Sequence, residues 1–257
     1  MRPPIVLSIA GYDPSSGAGV TADIKTAAAH GCYATTCITA LTVQTTEGVF
    51  AVEAVREELV RDTLYEVVRD LPPAAVRIGM LGNGLVAEVV AEFLETVRPP
   101  NVVLDPVLRS SSGAVLLDER GEAVLRERLL GLADVLTPNL AEARVLGGLV
   151  GVDGPELVVE LHRFGCKAVV ITGGDSESTD DFLSFGSIQE WFRAPKIRSR
   201  ATHGTGCAFA TSIACNLAKG VELAESVRAA KEYVRRAIET AEPLGHGHGP
   251  MNHLFRF

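Results

Sequence analysis

The sequence predicts an α/β fold built on a mostly parallel sheet with helices on both faces. Two observations carry this. Short β-branched runs alternate with longer amphipathic stretches along the chain, and the runs are apolar almost throughout rather than at every second position. A third is size. The 257 residues, 47% of them hydrophobic, bury a full core and suit one α/β domain, or at most two small ones.

The elements follow in order. Ile5 to Ala10 reads as a buried strand, and Gly11 to Gly17 as a loop carrying Asp13-Pro14-Ser15-Ser16. A helix is expected from Ala18 to His30, closed by Gly31. Thr35 to Val43 reads as a second strand, Val55 to Asp70 has helical spacing, and Val76 to Gly79 is a short strand. A helix over Leu85 to Val97 leads to the strand Val102 to Leu104, which ends at Asp105-Pro106. Then come a helix (Glu119 to Leu130), a strand (Val135 to Thr137) and two helical stretches, Asn139 to Leu146 and Pro155 to Phe164. Ala168 to Thr172 is a strand running into Gly173-Gly174. Phe182 to Phe185 and Glu190 to Phe192 suit a hairpin around Gly186-Ser187. Helices over Gly206 to Ala218 and Leu223 to Ala241 finish the chain.

Neither a repeat nor a linker divides the chain, so a single domain over residues 1–257 is expected. In such sheets ligands bind beyond the carboxyl ends of the strands. Asp13, Gln44, Met80, Asp105, Asn139 and Gly173 follow predicted strands and should converge on one rim.

Composition narrows the function. The net charge is −8 and Lys and Arg are scattered, which argues against a nucleic-acid or membrane partner. The five cysteines are odd in number and form no C-x-x-C pair, so a reducing compartment, and hence the cytoplasm, is expected. The first apolar run is too short for a signal peptide, and no run approaches ~18 residues.

Four motifs carry chemistry. His203-Gly204-Thr205-Gly206-Cys207 precedes an apolar helix. Glycines at a helix start let backbone N–H groups approach an anion, and the helix dipole favours both that anion and a thiolate. The alternative is a plain helix cap with Cys207 buried. Gly17-Ala18-Gly19-Val20-Thr21-Ala22 fits G-x-G-x-x-A, but six residues separate it from the end of the first strand, and Gln44 stands where a ribose-binding acid belongs. A dinucleotide site is therefore disfavoured, and no P-loop motif is present. Thr137-Pro138-Asn139-Leu140-Ala141-Glu142 has capping-box spacing, which serves equally to start a helix or to orient Mg²⁺. Gly245-His246-Gly247-His248-Gly249-Pro250 with His253 invites a metal reading, but flexible glycines and the lack of adjacent carboxylates argue against it.

These segments together resemble one family, the hydroxymethylpyrimidine/phosphomethylpyrimidine kinases of thiamine biosynthesis. The matching segments are Ile9-Ala10-Gly11-x-Asp13-Pro14-Ser15-x-Gly17-Ala18-Gly19, Ala22-Asp23-Ile24-Lys25-Thr26 and Thr39-Ala40-Leu41-Thr42-Val43-Gln44. Gly79-Met80-Leu81, Asp105-Pro106-Val107, Thr137-Pro138-Asn139-Leu140, the H-G-T-G-C run and the tail Gly247-His248-Gly249-Pro250-x-Asn252-His253 also match. The resemblance implies a ribokinase-like three-layer α/β/α fold, a homodimer, and phosphorylation by ATP and Mg²⁺ of an aminopyrimidine alcohol and then of its monophosphate.

Carried over residue by residue, Gln44 would bind the pyrimidine edge, with Asp23, Gly11 and Met80 in the same pocket and Val43 and Val107 as apolar walls. Gly204, Thr205 and Gly206 would form the anion hole, with Cys207 where a base stands in the broader fold. Asp105, Asn139, Thr172, Gly174 and His203 would serve the nucleotide, and Glu142 and Asp105 the metal.

The chain departs from the family pattern at four places. Tyr12 and Ser16 replace small residues, Leu108-Arg109-Ser110 lacks a Lys, and Thr172-Gly173-Gly174-Asp175 stands for Lys-Gly-Gly-His. Two phosphate contacts would be lost, with Arg109 a substitute for one. The rival readings are a pyridoxal kinase on the same fold and a non-catalytic pyrimidine sensor. The segments Leu108 to Ala114 and Asp175 to Asp180 are the lid candidates, and no fused domain is expected after the tail.

Overall fold

The computed structural model describes residues 2–110, 112–149, 155–174 and 179–255. Its centre is a nine-stranded sheet, counted over these residues, in the order β3-β2-β1-β4-β5-β6-β7-β8-β9. The strands are β1 (Ile5–Tyr12), β2 (Tyr33–Thr45), β3 (Gly48–Ala54), β4 (Ala75–Ile78), β5 (Val102–Leu104), β6 (Val135–Leu136), β7 (Ala168–Ile171), β8 (Asp181–Phe185) and β9 (Ile188–Phe192). From β2 across to β7 every pairing is parallel, while β3 at one edge and the β8–β9 hairpin at the other are antiparallel.

Alternation along each strand divides the interior into two cores. Leu7, Ile9, Val76, Ile78, Leu104 and Val169 face one side, against α2 (Glu57–Asp70), α3 (Gly84–Val97), α6 (Leu140–Gly147) and α7 (Pro155–Arg163). Val6, Ala75, Val103, Val135, Ala168 and Val170 face the other, against α1 (Gly19–Ala29), α8 (Thr205–Ala218) and α9 (Leu223–Glu239). The second face carries smaller residues, and α8 matches them with Ala210, Ala214 and Cys215.

The sequence expectation holds for the layer plan, with three differences. β3 was not foreseen. Its residues are half-buried or exposed on both faces, so it lacks the buried stripe that marks a strand. β2 runs further than expected and includes Gln44. The helix read over Glu119 to Leu130 is α4 (Glu119–Val124), a π-helical turn over Leu125–Leu129 and α5 (Leu130–Leu132).

Strand order reverses at β1, which lies between β2 and β4. The carboxyl ends of β1 and β4 therefore diverge and open a crevice.

Candidate active site

A cavity of about 650 Å³ occupies that crevice. Of the six rim residues, Asp13, Gln44, Met80, Asp105 and Asn139 line it. Gly173 does not: its N–H is bound to Asp181 Oδ1 at 3.0 Å.

One end of the cavity is enclosed by Gly11, Tyr12, Gln44, Met80 and Val107. Val49 and Leu116 complete its apolar wall with Met80. Val43 does not contribute, against expectation: it is 62% exposed because strand alternation turns it to the outer face. Asp23 also differs from its expected place in the pocket. It is buried under the floor, where it accepts hydrogen bonds from Ser8 (2.5 Å), Thr211 (2.7 Å) and Arg77 (3.0 Å).

Asp13 organises the rim. Its carboxylate is 3% exposed and accepts from the backbone N–H groups of Ser15 (2.8 Å), Gly17 (3.0 Å) and Ala18 (2.8 Å) and from the Ser15 hydroxyl (2.7 Å). His203 Nε2 lies 2.7 Å from it. Burial pushes the Asp13 carboxyl up, but the bonds from His203, Ser15 and Ala18 outweigh it and bring the pKa from 3.8 down to about 2. A depressed carboxyl stabilises the fold above its unfolded pKa, and that stabilisation is lost as pH falls through the folded value. The depression corresponds to about 2 kcal/mol. Denaturant melts of the wild type should lose that amount between pH 4 and 2, and Asp13→Asn should flatten the slope there. Equal slopes would refute the assignment.

The partners of Gln44 orient its amide. The Thr42 hydroxyl is directed at both the Tyr12 carbonyl (3.0 Å) and Gln44 Oε1 (3.2 Å). The Gln44 Nε2 amide nitrogen lies 3.0 Å from His203 Nε2, which also contacts Asp13 Oδ2 at 2.7 Å. Gln44 thus turns its carbonyl to Thr42 and one N–H to His203. One N–H and one lone pair remain.

In the middle of the cavity lie Gly204, Thr205, Gly206 and Cys207, at the start of α8. Gly204 has φ +75°, and a Cβ there would sit 1.9 Å from the Gly17 carbonyl oxygen. The Gly17 loop and the start of α8 therefore touch backbone to backbone. Cys207 lies against Arg77 and Asp105, and burial pushes its thiol up to about 11, Arg77 pulling the other way. This corrects the expected thiolate: removal from water outweighs the helix end.

Below them is a residue the sequence reading missed. Arg77, on β4, is fully buried yet borders the cavity. Its guanidinium donates to Asp23 Oδ2 at 3.0 Å and to Asp105 Oδ2 at 2.6 Å. A single charge inside the apolar strand Ala75-Val76-Arg77-Ile78 was the available signal.

The far end carries Asn139, Glu142, Thr172, Gly174 and Lys231, with the unforeseen segment 194–199 and the apolar Val234 and Ile238 of α9. Asn139 and Glu142 form the complete capping box at the start of α6, as the helix-start reading expects, and the same pair lines the cavity. Lys231 is tied to Asp181 at 2.8 Å.

Of the lid candidates, Leu108 to Ala114 is described except at position 111, and its Arg109 and Ser110 line the cavity. Ser110 N–H donates to the Ala114 carbonyl at 2.9 Å. The other candidate falls mostly on 175–178, outside the described residues. The tail histidines separate. His248 Nδ1 meets Thr202 at 3.1 Å on the cavity side, while His253 is buried against Thr26 at 3.2 Å and its pKa falls to about 4 through loss of water.

Comparison with known proteins agrees with this geometry. A model of the phosphomethylpyrimidine kinase family matches residues 13–252. The chain belongs to that family. The hydroxymethylpyrimidine/phosphomethylpyrimidine kinase of Streptomyces coelicolor is 42% identical over 98% of this chain and 95% of its own length. A bifunctional thiamine biosynthesis protein of Geobacter sulfurreducens is also 42% identical, and there the chain spans 52% of the relative. Among solved structures, the Bacillus subtilis pyridoxal kinase in an ADP complex matches with a TM-score of 0.88 and 32% identity over 98% of both chains. The layer plan is thus that of the vitamin kinases, and this chain is an ATP-using kinase of that kind. No helix among the described residues is long and apolar enough to cross a membrane.

Proposed function

We propose that this kinase transfers the terminal phosphoryl group of ATP to the hydroxymethyl group of 4-amino-5-hydroxymethyl-2-methylpyrimidine, and then to the resulting monophosphate. One observation carries the choice of substrate: the oriented Gln44 amide keeps one donor and one acceptor, the complement of a ring nitrogen beside an exocyclic amine. Gly11, Met80, Val107, Val49 and Leu116 supply the apolar slot for the ring.

Phosphoryl transfer needs mainly positioning and electrostatic stabilisation. The pyrimidine and nucleotide ends meet at Gly204–Gly206, whose backbone N–H groups are fixed donors where charge develops. The nucleotide lies toward Asn139, Thr172, Gly174 and the 194–199 segment, with His203 holding the junction through Asp13. Asp105 and Glu142 line the same cavity, and two carboxylates with phosphate oxygens and water are the donor set Mg²⁺ takes. Held there, the ion would neutralise phosphate charge. Arg109 meets the phosphate of the second substrate from the mouth. We further place the protein in the cytoplasm as a homodimer of single-domain subunits.

The test is a product assay with Mg-ATP, offering the pyrimidine alcohol, its monophosphate and pyridoxal separately. Turnover of both pyrimidines is the expected result. Pyridoxal as the best substrate, or ligand binding without ATP turnover, would replace the proposal with a pyridoxal kinase or a sensor.

A further inference from the structure

We propose that Arg77 is a positioning residue for phosphoryl transfer: buried beneath the start of α8, its guanidinium fixes the Asp105 carboxylate and cancels charge in the Asp23–Asp105 pair, so that an anion can be held at Gly204–Gly206. The inference rests on the kinase reading above.

The placement is unusual for its surroundings. Its strand neighbours are Ser8 on β1 and Val103 on β5, and this face of the sheet is otherwise packed with Val and Ala. Arg77 is 0% exposed and its Nε has no partner among the described residues. Desolvating such a cluster costs several kcal/mol per ion, and well-packed apolar residues often do at least as well for stability. Folding alone is thus a weak reason for an arginine here, whereas the reacting site lies directly above.

The chain also makes room for it. A Cβ on Gly79 would lie 2.2 Å from Arg77 Nη1. Each carboxylate comes from a different element: Asp23 from α1, held additionally by Ser8 and Thr211, and Asp105 from the end of β5. Thr211 sits one turn beyond Cys207 on α8 and is held too, since its hydroxyl also reaches the Cys207 carbonyl at 2.8 Å. Arg77 is therefore the joint between β4, α1, β5 and the anion-binding helix. Without its charge, the Asp105 carboxylate at the cavity would be left unheld, with the buried Asp23 carboxylate uncompensated beneath it.

The experiment compares wild type with Arg77→Met, Arg77→Lys and Arg77→Met/Asp23→Asn. The double variant removes one charge of each sign and stands in should the single one not fold. Steady-state kinetics are paired with calorimetric binding of ADP alone and of ADP with aluminium fluoride, which mimics the transferring phosphoryl group. Arg77→Met, or the double variant, should lose about 10²–10³-fold in kcat with KM for ATP little changed. Binding of the fluoride complex should weaken in parallel while ADP binding holds, and Arg77→Lys should recover part of both. A kcat within threefold of wild type, or equal weakening of ADP and its fluoride complex, would overturn the role. Failure of the wild type to phosphorylate either pyrimidine would instead count against the substrate reading, and the two binding constants would still judge Arg77.

Discussion

Gly204→Ala should lower kcat by about 10²–10³-fold while the protein remains folded. The reason is local. Gly204 is the residue before the first turn of α8 and adopts φ +75°, a region costly for any residue with a Cβ. An added methyl would fall 1.9 Å from the Gly17 carbonyl oxygen and 3.0 Å from Ala18 Cα. Neither neighbour is a flexible side chain that can turn away. The backbone must shift, and the N–H groups of Thr205, Gly206 and Cys207 shift with it. A displacement of about 1 Å is enough to cost two orders of magnitude in a site that works by position. The measurement is kcat with saturating alcohol and ATP, with circular dichroism to establish that α8 persists. Unchanged kcat in a folded Gly204→Ala protein would remove these N–H groups from the transition state.

The same contact shows where sequence reading reaches its limit. The H-G-T-G-C run announces a helix start that suits an anion, and α8 begins at Thr205 as that run suggests. Nothing local to it says that Gly17 lies against Gly204, or that His203 meets Asp13 from 190 positions away. Strand and helix periods are local properties, so the layer plan was legible. The partner of a buried polar group is a property of the fold. Val43 and Asp23 illustrate both sides. Val43 sits next to Gln44, but strand alternation sends adjacent residues to opposite faces, so a motif of neighbours cannot all line one pocket. Asp23 lies on α1 and its burial is set by Arg77, whose own significance emerges only when β4, β5 and α1 meet.

Cys207→Ala should separate the two reactions, costing the alcohol step about 10²-fold and the monophosphate step threefold or less. The two acceptors differ in one respect that matters here. A hydroxymethyl group must give up a proton as its oxygen attacks, whereas a phosphate monoester is largely ionised at neutral pH and has none to surrender. Cys207 sits at the junction of the two ends of the cavity, at the start of α8, and keeps some contact with solvent while the other four cysteines are buried. Its thiol, pushed up to about 11 by burial, is protonated at neutral pH, so only the small thiolate fraction can accept the proton. The sign of the pH effect follows. The alcohol reaction should accelerate as pH rises from 7 to 9 in the wild type, the monophosphate reaction should stay level, and Cys207→Ala should abolish the difference. Parallel pH profiles for both acceptors in the wild type would show that Cys207 takes no proton, leaving it a packing contact between Arg77, Asp105 and the anion-binding turn.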